Sequence, residues 1–183
     1  MSLSWVILTN IEEVAMVRLQ RSKSQALLLA LSILGAGIAI YLTSVHYENI
    51  PLVCSENGLI NCAQVLSSSY AVIPGTLLPI TLPGLVWCLV SAALAVAGLY
   101  ASSGIWLRRI QVTQFVLALI GLLAVLYLVY AEIVRLRTIC AWCTAFHVLI
   151  LIMFLVTLVQ LQSWGQPVVQ IFDKPRQKPF SPP

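Results

Sequence analysis

Thr138-Ile-Cys140-Ala-Trp-Cys143-Thr-Ala-Phe-His147 is the stretch whose residue types can do chemistry. It sets a Cys-x-x-Cys pair where a charged linker (Glu132, Arg135, Arg137) gives way to a long apolar run. On a helix, residues three and four apart share a face, so Cys140, Cys143 and His147 line up along one side. A helix beginning near Thr138 would hold both thiols in its first turn. There the unpaired backbone N–H groups and the helix dipole favour a thiolate. A low thiol pKa at a helix N-terminus is what a redox-exchanging Cys-x-x-Cys needs. The pattern predicts a dithiol/disulfide centre at the edge of a membrane.

The elements that must position it follow from composition. The chain is 60% hydrophobic and 9% charged, with mean hydropathy +0.97. A soluble domain is about 25% charged. Ser24 to Val45 and Ile110 to Ala131 carry no charge, and His147 is the one ionisable group besides the cysteines between Thr138 and Phe172. About 20 apolar residues span a bilayer core. These runs predict an all-α integral membrane protein, a four-helix bundle with spans near 25–44, 80–100, 110–131 and 138–161. A segment at 1–24 precedes the bundle, and a Pro-rich, flexible tail at 163–183 follows it.

The net charge of +4 has a membrane explanation and calls for no nucleic acid. With both termini inside, every basic residue except Arg135 and Arg137 falls on the cytoplasmic side, as the positive-inside rule requires. The opening Met-Ser-Leu-Ser-Trp-Val lacks basic residues ahead of it, so no cleaved signal peptide is expected. On this orientation Cys54, Cys62, Cys140 and Cys143 all face an oxidising compartment where disulfides persist. Cys88, inside the second span, reads as a small apolar packing residue.

Val45 to Pro79 is too long for a simple connector and is a functional candidate. It holds Cys54 and Cys62 around an Asn57-Gly58 turn signal. Asn61 is placed to cap a short helix from Cys62 towards Tyr70. The apolar segment that follows is expected to rest on the membrane face and cover something. In the first span, Gly35, Ala36, Gly37 and Ala39 form a small-residue face for close helix approach. Tyr41, His46 and Tyr47 read as interfacial aromatics and headgroup-level polar groups.

Two cysteine pairs on one membrane face suit a relay by thiol–disulfide exchange. One pair meets a partner and the other, near the lipid, meets an oxidant, which points to a quinone. Other readings stay open at this level. The loop pair is also readable as a structural staple, and Ser68 as a residue that caps or lines a short helix. His147 is either a hydrogen-bonded packing residue or a neighbour of thiolate and quinone. Trp142 reads as an interfacial anchor and Glu132 as a balance to the two arginines.

The four-span layout, the Cys-x7-Cys loop, Ser68 six residues after Cys62, and Cys140-x-x-Cys143 opening the last helix resemble the vitamin K epoxide reductase family. The Cys-x-x-Cys-x3-His form, the run Asn61 to Tyr70, and Gly75 to Pro79 resemble its bacterial branch, over about Gln25 to Leu161. The resemblance implies that Cys140 and Cys143 are the active-site pair, with Cys143 facing the quinone. It implies that Cys54 and Cys62 are the shuttle pair, with Cys62 exchanging with Cys140. Ser68 would match a family Ser/Thr near the quinone oxygen, and His147 stands where animal members hold Tyr. The cofactor implied is a quinone (ubiquinone, menaquinone or phylloquinone). Bacterial members often carry a fused thioredoxin-like domain. The short tail here leaves no room for one, so a separate periplasmic DsbA-like or thioredoxin-like partner is expected.

The expected function is a membrane thiol–disulfide oxidoreductase of a bacterial inner membrane, active on the periplasmic side and supporting disulfide formation. Its competitors are a vitamin K epoxide reductase proper, a zinc site built from Cys140, Cys143, His147 and a loop cysteine, and a non-enzymatic tetraspan protein.

Overall fold

A computed structural model describes residues 2–48, 53–54, 58–73, 75–76, 78–101 and 104–172; for 2–18 and 163–172 it describes the backbone alone. The helices are α1 (Ser2–Glu48), α2 (Cys62–Leu66), α3 (Thr81–Tyr100), α4 (Ile105–Tyr130) and α5 (Ala141–Phe172), with a π-helical segment, Ala131–Leu136, continuing α4. No strand occurs among the described residues; the only sheet-like pairings are two isolated bridges. Four helical stretches, 19–48, 81–100, 105–136 and 141–162, are long and apolar enough to cross a membrane.

The packing is that of a bundle in lipid. Leu27, Ile33, Leu34, Ile40, Val86, Leu123 and Val159 all point outward, as side chains facing acyl tails do. The interior instead takes in Gln25, Ser32, Ser91, Gln111, Gln114, Thr157 and Gln160. Polar side chains inside a membrane bundle act as glue between helices, because lipid offers them no partner. Gln25 of α1 is the centre of this set. Its amide N–H donates to Gln114 Oε1 at 3.2 Å and Gln160 Oε1 at 3.1 Å, and its Oε1 accepts from Gln114 Nε2 at 2.9 Å. One amide thus joins α1, α4 and α5. It fits because Gly98 on α3 leaves room: a Cβ there would lie 2.7 Å from the amide. One turn earlier, Arg21 donates to the Gly98 and Ala101 carbonyls at the end of α3.

α1 packs chiefly on α3 and α4 on α5. Small residues allow the close approaches, but not all those expected. Gly35 touches Cys88, whose sulfur would lie 2.8 Å from a Cβ, whereas Gly37 faces open space. Cys88 is fully buried in that contact, a free thiol serving as packing. The next residue back on α3, Trp87, lays its ring against Gly121 of α4 and donates its indole N–H to Leu117 O at 2.9 Å.

Three boundaries differ from the sequence reading. The first helix runs unbroken from Ser2 through the segment expected as a leader. The last begins at Ala141 rather than near Thr138, for a reason given below. α5 continues as backbone helix to Phe172, past the expected end of the span; the rest of the expected tail, 173–183, and Asn57 of the expected turn lie outside the described residues.

Candidate active site

The site lies at the end of the bundle where α1 ends and α5 begins. Cys140 directly precedes the first residue of α5 and occupies the N-cap position. Its carbonyl accepts the Thr144 N–H at 2.9 Å, and its sulfur accepts the Cys143 N–H at 3.3 Å. A sulfur here fills the role usually taken by a Ser, Thr, Asp or Asn oxygen. Thr138 and Ile139 stay extended because their polar groups are committed elsewhere. Thr138 N–H donates to Glu132 O at 3.2 Å, and Ile139 N–H donates to Leu59 O at 2.9 Å. That commitment delays the helix start.

The second commitment also docks the long loop. Ile60 and Ile139 form a parallel bridge, completed by Asn61 N–H to Ile139 O at 3.2 Å and Thr138 Oγ1 to Leu59 O at 3.2 Å. Two residues after the bridge, Cys62 opens α2, capped by Asn61, whose side-chain oxygen accepts the Gln64 N–H at 2.9 Å. Because Ile60 is held to Ile139, Cys62 is delivered beside Cys140. Both are fully buried in one cluster with Val65, against which Cys54, Cys143 and Trp142 pack. Cys54 and Cys62 form a disulfide, while Cys140 and Cys143 are free thiols.

The Cys54 end of the loop is held separately. Trp142 donates its indole N–H to Val53 O at 2.9 Å, and Val53 N–H donates to the Tyr41 hydroxyl at 3.2 Å. The Tyr41 and Trp142 rings pack with centroids 5.0 Å apart. These two aromatics, read from sequence as interfacial anchors, clamp the residue next to Cys54.

Beyond Cys143 opens a cavity of about 100 Å³ between α1, the loop, α3, α4 and α5. Its walls are mostly apolar, with Leu42, Val65, Leu128 and Phe146 among them, and Cys143, His147 and Ser68 contribute polar atoms. The loop roofs this space by folding back on itself. Val72 and Pro79 pair, Ile73 N–H donates to Leu78 O at 3.0 Å, and Gly75 supplies the turn with φ +80°, where a Cβ would be strained. Arg135 ties the roof to the bundle by donating to the Tyr70 hydroxyl at 3.1 Å.

The two cofactor candidates behave differently. His147 is buried on the cavity wall and its ring makes no hydrogen bond among the described residues. The Ser68 hydroxyl donates to Val65 O at 2.7 Å, so its proton is already engaged. His46, expected at headgroup level, lines the cavity too.

Sequence reasoning missed Glu132 as a site residue. It is 6% exposed rather than a surface balance to Arg135 and Arg137. It lines the cavity together with Cys143 and His147. The signal was available: a lone acid directly after a charge-free span is costly there unless it has work to do.

The Cys140 thiol is held below its ordinary value of 9.0, first by the hydrogen bond from the Cys143 thiol, in opposition to burial, and further by the Cys143 and Trp142 backbone N–H groups. Those N–H groups are the first turn of α5, so helix geometry and sulfur chemistry are the same feature. The expected zinc ligands Cys140, Cys143, His147 and a loop cysteine do not form a cluster among the described residues. Both loop cysteines are tied up in the disulfide.

A four-helix membrane bundle with a disulfide in a docked loop, a dithiol at a helix N-terminus and an apolar cavity beside it defines a multi-pass membrane redox protein. The model of the vitamin K epoxide reductase family matches residues 26–158, and the chain belongs to that family of membrane oxidoreductases, which is quinone-linked in general. No curated protein matches the chain.

Proposed function

We propose that this protein is a quinone-dependent thiol–disulfide oxidoreductase that supports disulfide formation, passing electrons from Cys54/Cys62 to Cys140/Cys143 and on to a membrane quinone. The observation that carries this reading is the burial of Cys62 with Cys140 in one cluster while Cys143 opens onto the cavity. The electron source is a separate DsbA-like or thioredoxin-like protein whose thiolate attacks the loop disulfide. In this reading both termini are cytoplasmic and the site faces the periplasm of a bacterial inner membrane, as the distribution of Lys and Arg favours.

The cavity residues fit a quinone: apolar walls suit its ring, and His147 has an uncommitted ring N–H for its oxygen. When bound, the quinone accepts two electrons and two protons. The protein's own residues do the rest. A reduced partner opens the Cys54–Cys62 disulfide through a mixed disulfide. Cys62 then attacks Cys140 of an oxidised Cys140–Cys143 pair, and closure of the loop disulfide leaves the helix pair reduced. That is the arrangement described above, with the loop closed and the helix thiols free. The N-terminal turn of α5 holds Cys140 as a thiolate, and Phe146 with the roof excludes water from Cys143. Ser68 keeps the end of α2 closed over the cavity.

The test is thiol counting. Reduced protein in detergent is mixed with ubiquinone or menaquinone, and alkylatable thiols are counted over time in wild type and Cys143→Ser. Loss of four thiols in wild type, with Cys88 remaining and no loss in the variant, supports the relay. Thiols that stay free in wild type with quinone present overturn it.

A further inference from the structure

We propose that Glu132 is an acid–base catalytic residue of the quinone half-reaction, taking the proton from the Cys143 thiol. The inference rests on the quinone-dependent reading above. It starts from a costly place for a carboxylate: buried, near the end of the membrane-crossing stretch 105–136, and, among the described residues, without the ion pair its neighbours suggest. Arg135 turns away to the Tyr70 hydroxyl and Arg137 is exposed. A buried carboxylate without a cationic partner is expensive and is retained where it has a task.

The backbone is arranged to bring it inward. Ala131–Leu136 is π-helical, and π-segments inside α-helices mark functional positions, since their weaker pattern is not kept for stability. The segment ends at Arg137 in the left-handed conformation, φ 54°, with the Arg137 and Thr138 N–H groups both directed to Glu132 O. The carbonyl of Glu132 thus fixes the approach to Cys140, and its side chain lines the same cavity as Cys143.

The groups facing it are few. On the cavity wall stand His46 from α1, Tyr70 from the loop, and Cys143 and His147 from α5, while α3 brings only the uncharged Thr81 and Gly84. Of these titratable groups, the Cys143 thiol is the one whose proton the proposed quinone half-reaction must remove, and it shares the cavity with Glu132. In the step, the Cys143 S–H bond breaks and its proton moves to Glu132. A bond forms between the Cys143 sulfur and the Cys140 thiolate sulfur. The released electron pair is delivered to the quinone with two protons, one from Glu132 and one from outer-face water, and Glu132 returns to its carboxylate form.

The experiment follows quinone-dependent thiol loss in prereduced wild type, Glu132→Gln and Glu132→Asp between pH 5.5 and 9, with reduction of each oxidised protein by dithiothreitol measured alongside. General-base catalysis is worth about 10²–10⁴-fold. Glu132→Gln keeps an acceptor oxygen but not the base, so its quinone rate is expected to fall by at least about 10²-fold near neutral pH. The rate is then expected to rise about tenfold per pH unit where wild type is flat, as hydroxide replaces the carboxylate. Dithiothreitol reduction should change by no more than about twofold. Glu132→Asp, a carboxylate drawn back by one methylene, should be slower than wild type with a wild-type-shaped profile, and it serves as the deciding variant where Gln does not fold. A wild-type rate and pH profile in Glu132→Gln, or a wild-type rate in Glu132→Asp, overturns the role of Glu132 alone. Absence of quinone-dependent loss in wild type overturns the proposed function and this inference together.

Discussion

Trp142, between the two cysteines of the α5 pair, donates its indole N–H to the carbonyl of Val53, the residue before Cys54, at 2.9 Å. One side chain therefore sets the distance between the two cysteine pairs from the Cys54 side, as the Ile60–Ile139 bridge does from the Cys62 side.

Replacing Trp142 by Phe keeps a ring against Tyr41 and deletes that one hydrogen bond. A single bond of this kind is worth about 1 kcal/mol, or about fivefold in an equilibrium. The loop disulfide should open to dithiothreitol several-fold faster, while oxidation of the reduced α5 pair by quinone stays within about twofold. An unchanged opening rate would show that Val53 is held by Tyr41 alone.

The bridge itself is testable at Ile139. Proline there removes the N–H donated to Leu59. In a Cys54→Ser, Cys143→Ser background, mild oxidation should join Cys62 to Cys140. Adding Ile139→Pro should cut the yield of that disulfide about tenfold, read by non-reducing mass mapping. Equal yields would mean that side-chain packing alone docks the loop.

The Cys140 thiolate carries a signed pH dependence. Its pKa is lowered in the fold, so its contribution to the stability of the reduced protein is fully present above the ordinary 9.0 and is lost as pH falls through the lowered value. The ultraviolet absorbance of the thiolate should titrate below 9.0 in wild type. In Cys143→Ala, which removes the largest cause, the midpoint should move up. A midpoint at or above 9.0 in wild type would contradict the capping geometry.

Packing in the bundle distinguishes two glycines. Gly121→Ala places a Cβ 2.8 Å from the Trp87 ring, which cannot withdraw without losing its bond to Leu117. Overpacking of this kind costs about 1–3 kcal/mol, seen as a lower melting temperature in detergent. Gly37→Ala meets nothing within 4 Å and should be neutral or slightly stabilising, because alanine loses less entropy in a helix.

Much of this architecture is legible without coordinates. Four charge-free runs declare their helices because a bilayer demands about 20 apolar residues each, and the two cysteine pairs stand out by type and spacing. What escapes is whatever depends on contacts far apart in the chain. Thr138 looks like a helix start by propensity, but its backbone is claimed by Glu132 and its hydroxyl by Leu59, so Cys140 caps the helix instead. Glu132 reads as one charge among three until the π-segment turns it inward and turns Arg135 out. Gln25 sits unremarkably at the start of an apolar run, and nothing local shows that it bridges to Gln114 and Gln160.

In the proposed relay the sulfur of Cys140 is at once a reactant and the first joint of α5. When the pair closes to a disulfide, the Cys143 N–H loses a charged acceptor and the helix loses the anion at its positive end. Every turnover would then loosen and re-fasten the end of the rod that carries His147 along the cavity. On that reading, chemistry at one atom becomes a mechanical signal along a helix, delivered to the cavity wall that a departing quinol would have to pass.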